Sequence, residues 1–104
     1  MKIVLTNTPP DKGEEIAKTL VEEHLVACVN LYPIQSVYFW KGEARMEKEI
    51  TLMMKVAAEG IDAVKKRLLE LHPYDLPEFV VLEVDTQASL QEYVNWVRNE
   101  TSSF

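Results

Sequence analysis

The sequence predicts an α+β domain, a ferredoxin-like βαββαβ sandwich with a long central hairpin and an extra C-terminal helix. Three observations predict it. Apolar residues recur at helical spacing in three separate segments, and β-branched and aromatic runs fill the intervals between them. A lone Lys41-Gly42-Glu43 turn divides the longest of those runs. The resulting order, β-α-β-β-α-β-α, places helices on one face of an antiparallel sheet.

Each element has its own signal. Ile3-Val4-Leu5 reads as a short buried strand, ended by Asn7-Thr8-Pro9-Pro10, a turn that cannot continue a ladder. Asp11 with Glu14 three residues on is a capping-box pattern. Behind it Ile16, Ala17, Leu20, Val21 and Leu25 recur with helical period. Ile61, Val64, Leu68 and Leu71 write a second helix, stopped by Pro73. Phe79–Val84 supplies another strand. Leu90, Tyr93, Val94 and Val97 predict the third helix, with Ser89 and Glu92 as a second capping-box pattern.

The segment between the first two helices predicts assembly. Its two strands run to about a dozen residues each, about twice the length expected of the first and last strands. Their distal halves, with Tyr38, Phe39, Trp40 and Ile50, would project beyond the sheet with unpaired backbone and apolar groups exposed. Such an edge invites self-pairing unless it is covered. Another copy of the chain in a closed ring covers it, so an obligate homo-oligomer is expected.

Composition narrows the function classes. All 104 residues, 1–104, form one domain, 47% hydrophobic and 27% charged. The net charge of −6 argues against nucleic acid, since Lys65-Lys66-Arg67 is the sole basic cluster and lies in a helix. The apolar run after Met1 is too short for a signal peptide and no stretch could span a bilayer, so a cytoplasmic protein without a membrane partner is expected. One cysteine excludes an internal disulfide and any CxxC motif. No GxSxG, HExxH or phosphate-cradling glycine loop is written, so no enzymatic reaction and no required cofactor are expected.

Several positions remain as candidates. His72, in Glu70-Leu71-His72-Pro73-Tyr74-Asp75-Leu76-Pro77-Glu78-Phe79, can ligate a metal with help from Glu78 or Asp75. It can equally cap the second helix and pack against Tyr74. Cys28 is a soft ligand in principle, or a small buried hydrophobe. Lys55 interrupts an apolar strand and can pair with Glu78, meet an anionic ligand in a cleft, or face solvent. Trp40 and Glu43 belong to the same constellation, with Trp40 also read as an interface anchor. Met46, Met53 and Met54 have strand-packing spacing, and His24 reads as a boundary residue.

In this order, "LVEEHLVACVNLYPIQSVYFWKGE", Glu49, Lys55, "LHPYDLPEF", Tyr93 and Trp96 resemble the CutA divalent-cation tolerance family over nearly the whole chain. The resemblance implies a homotrimer related in architecture to PII signalling proteins, whose long hairpins pair between subunits. It implies a part in tolerance to copper and other divalent cations, with Cu(II) or another divalent cation as the ion bound. Thr6 and Leu71 stand where enterobacterial members carry two of their proposed copper ligands, a cysteine and the first of two histidines. His72 occupies the third position. With the residue readings above, the metal candidates are His72, Glu78 and Cys28. The alternative is a PII-like sensor that binds a small anionic ligand in intersubunit clefts through Trp40, Lys55, Tyr74 and Glu78.

Overall fold

The structure, a computed structural model, describes residues 1–101. Its elements follow the expected order: β1 (Lys2–Thr8), α1 (Gly13–Glu22), β2 (Cys28–Trp40), β3 (Glu43–Val56), a 3-10 turn (Ala58–Gly60), α2 (Ile61–Leu71), β4 (Val80–Glu83) and α3 (Gln91–Glu100). The four strands form one antiparallel sheet in the order β2-β3-β1-β4. The core lies between one sheet face and two helices. Val4, Leu52, Met54 and Val56 from the sheet meet Ile16, Leu20, Val64 and Leu68 from α1 and α2. Alternation along β1 and β3 puts these residues on the helix side and leaves Asn7, Glu49, Thr51 and Lys55 on the other.

Register explains how the hairpin projects. β1 pairs with β3 from Lys2↔Val56 to Thr8↔Ile50, so the part of β3 before Ile50 has only β2 beside it. That free ribbon ends at Lys41-Gly42, where φ is 52° and 80°. Two consecutive left-handed residues define the two-residue turn whose twist suits a hairpin. On the ribbon, Val37 and Phe39 are 71% and 79% exposed, opposite Met46 and Ala44.

Both capping boxes fail to form. The N-cap of α1 is Lys12 and that of α3 is Leu90, and neither helix has a side-chain cap. At α1, a Lys12 N–H to Pro9 carbonyl bond of 3.1 Å closes the proline turn, and the helix starts one residue later than Asp11 would set it. Gly13 then fits where a Cβ would meet Thr8 Oγ1 at 3.0 Å and Ile50 Cγ2 at 3.1 Å, so α1 enters pressed against the sheet. At α3, the Ser89 hydroxyl instead donates to the Asp85 carbonyl at 2.7 Å, inside an Asp85-centred turn. β4 is also shorter than Phe79–Val84, and its residues stay exposed at a free sheet edge.

Candidate functional site

Pro73 disfavours helical geometry at the residue before it, so α2 stops and His72 adopts φ −77°, ψ 131°. This carries the imidazole under the sheet edge, where the residue is only 7% exposed. Its Nδ1 accepts the Tyr74 backbone N–H at 3.2 Å. Nε2 must then carry the hydrogen, which it donates to the Asn7 carbonyl at 2.8 Å. Burial lowers the His72 pKa, only partly offset by the Asn7 bond and the charge of Glu49. The ring is a neutral strut with both nitrogens engaged.

The strut holds the next residue. Tyr74 lies with its ring 4.8 Å from the imidazole and donates from its phenol to Glu49 Oε2 at 2.6 Å. Burial, followed by the bond to Glu49, raises the Tyr74 pKa, so the phenol stays a donor. Glu49 is 6% exposed, and among the described residues no Lys, Arg or His lies within ion-pair distance of it. Leaving a buried carboxylate with a phenol and no counter-charge is costly.

Around Glu49 opens a cleft of about 770 Å3 between the hairpin and the loop 73–78. Glu47 and Glu49 on β3 face Asp75 and Glu78 on the loop, with Tyr38 and Trp40 from β2 as aromatic wall. Partial burial and the charge of Glu49 push the Glu78 carboxyl up. A hydrogen bond to Glu47 is the main cause of a raised Tyr38 pKa. Among the described residues Arg45 is the one cation in the lining. Four carboxylates against one guanidinium make this an electronegative cleft, suited to a cation.

The expected sites divide. Trp40, Tyr74 and Glu78 come together in the cleft, but Lys55 does not join them. Lys55 pairs with Asn30 and lies opposite Cys28 on β2. Glu49, six residues earlier on the same face of β3, is roughly 20 Å away along the strand. Cys28 is half-buried beside Tyr93, away from His72 and Glu78. Among the described residues no three His, Cys, Asp or Glu side chains converge as a metal-binding group. Glu49, which the family resemblance includes, is the buried carboxylate of the cleft. Its local sequence signal is the polar stripe Arg45, Glu47, Glu49, Thr51 at strand period.

Fold and site together define a PII-like α+β protein carrying an acidic cleft beside a projecting hairpin. The family model described as CutA1 divalent ion tolerance protein matches residues 2–100, and the chain belongs to that family. A relative from Thermus thermophilus, "Divalent-cation tolerance protein CutA", is 38% identical over 102 residues, covering 96% of this chain and 97% of its own. The "PII-like protein CutA from Nostoc sp. PCC 7120 in apo form" superposes with a TM-score of 0.98 at 62% identity over the full length of both chains. CutA1 from Pyrococcus horikoshii superposes at 0.92 with 34% identity, over 98% of this chain and 99% of its own.

Proposed function

We propose that the protein is a non-enzymatic homotrimer that binds divalent cations, Cu(II) among them, in its acidic cleft as its part in divalent-cation tolerance. The observation that carries this reading is Glu49, a carboxylate 6% exposed with no counter-charge among the described residues. A bound cation supplies that charge. Glu78, whose pKa is raised in part by Glu49, is the second ligand. Water or a neighbouring subunit fills the remaining positions. His72 serves by holding Tyr74, since neither ring nitrogen is free.

The trimer is supported by two free sheet edges on opposite sides, β2 and β4. Edges of one subunit that each accept a neighbour's other edge generate a ring. Leu76, 73% exposed on the loop before β4, and Phe39 on the hairpin flank the same cleft, so this ring would cover both.

The alternative, a small anionic ligand held by Lys55, Tyr74 and Glu78, gains nothing from the geometry. Lys55 lies apart and the cleft is acidic. Calorimetric titration with Cu(II), Zn(II) and Mn(II) tests the choice. Glu49→Gln is expected to weaken binding at least tenfold; identical isotherms for wild type and Glu49→Gln would remove the cleft from the reading.

A further inference from the structure

A single-atom ion is not the only cation this cleft fits. Glu47 and Glu49 stand two residues apart on one face of β3, about 7 Å from one another along the strand. Asp75 and Glu78 lie on the facing loop. These carboxylates are strung along the cleft, and among the described residues no three of them meet at one point. Tyr38, Trp40 and Tyr74 line the same cleft.

We propose that the cleft takes an extended organic polycation, a linear di- or polyamine. Its ammonium groups sit on the spaced carboxylates, and its methylenes lie along the aromatic wall.

The chemistry follows from the lining. An ammonium delivered to Glu49 supplies the counter-charge that this buried carboxylate lacks, and it accepts the geometry of a single carboxylate without needing a converged ligand shell. Aromatic side chains share the lining with the carboxylates, and cation–π attraction to them would favour an organic cation over a strongly hydrated metal ion. In the isolated chain the cleft has about 770 Å3, within the range of small-molecule sites, and in the proposed ring a neighbouring subunit closes its Phe39 and Leu76 rim. Arg45, in the same lining, repels one end of any cation and favours two or three charges over a longer chain of them. The inference rests on the reading of the cleft as a cation site, and differs from it in the class of cation.

The test is calorimetry on the assembled protein at about 0.1 M salt, where diffuse surface attraction is screened. The probes are spermidine, 1,4-diaminobutane, butylamine and Cu(II). Spermidine is expected to bind at least tenfold more tightly than butylamine, with the diamine between them. Trp40→Leu, or Tyr38→Leu should the first disturb assembly, is expected to weaken spermidine about tenfold and leave the Cu(II) isotherm unchanged. Glu49→Gln weakens both probes, and Glu78→Gln replaces it if that variant does not fold. Spermidine bound no better than butylamine, or equally well by wild type and all variants, overturns the inference. Cu(II) binding without spermidine binding overturns it and leaves the divalent-cation reading standing. Spermidine binding without Cu(II) binding does the reverse.

Discussion

The phenol of Tyr74 donates a 2.6 Å hydrogen bond to Glu49, and that bond joins the proline-stiffened loop to the long hairpin. Among the described residues it is the one side-chain hydrogen bond from the loop 73–78 to β3, and the His72 strut makes it rigid. Tyr74→Phe removes a donor from a buried carboxylate, which typically costs about 1–3 kcal/mol. Chemical denaturation should show a loss of that size. A loss below about 0.5 kcal/mol would mean that water replaces the phenol freely.

His72 gives the fold an acid limit. Its folded pKa lies below the ordinary 6.5, so the unfolded chain binds the proton first as pH falls. Stability is therefore full above pH 6.5 and declines as pH drops from there toward the folded value. The proton also has to displace the Tyr74 N–H from Nδ1. Denaturation midpoints between pH 8 and 5 should fall on the acid side, and His72→Gln should flatten that part of the profile. An unchanged slope in the variant would assign the acid loss to other groups.

Glu78 acts with the opposite sign. Its carboxyl is pushed above 4.5 by burial and by Glu49, so ionised Glu78 opposes folding at neutral pH. Glu78→Gln should raise stability at pH 7, and the gain should vanish below pH 4.5, where both folded and unfolded carboxyls are protonated. The same variant should weaken cation binding, so stability and binding move in opposite directions. Joint loss of both would contradict the assignment.

Thr6 Oγ1 is fully buried on the helix-facing side of β1 and finds no hydrogen-bond partner among the described residues. Replacing an unsatisfied buried hydroxyl by a methyl of the same shape is neutral or stabilising. Thr6→Val should leave the thermal midpoint unchanged or raise it, by up to about 1 kcal/mol in stability. A drop of more than 1 kcal/mol would reveal a partner for the hydroxyl.

Phe39, 79% exposed at the hairpin, is the residue through which the trimer proposal is most vulnerable. Phe39→Asp places a charge on a face that the ring would bury. Light scattering should find a trimer for wild type and a smaller species for the variant. A monomeric wild type at micromolar concentration would end the trimer proposal.

Much of the fold was legible because local signals agreed with global ones. Helical periodicity around Leu20, Leu68 and Val97 named residues that are buried, and Lys41-Gly42 fixed the hairpin register. Pro73 likewise announced the end of α2 at Leu71. The capping boxes misled because their partners lie in three dimensions: the Pro9 carbonyl and the tight Gly13 contact set the start of α1, and the Asp85 turn takes Ser89. The site was half legible. Trp40, Tyr74 and Glu78 meet in the cleft, whereas the hairpin register sets Lys55 12 residues along β3 from Glu43, the partner of Trp40. The burial of Glu49 is not written in its local sequence. Its burial depends on a loop that returns to it from 25 residues further along the chain.

The most direct measurement is a crystal structure of the Cu(II)-loaded protein with anomalous data at the copper edge. The account predicts a peak in the cleft within coordination distance of the Glu49 and Glu78 carboxylates, with His72 still bonded to Asn7. A peak at Cys28, or a His72 ring turned out to ligate the metal, would contradict it.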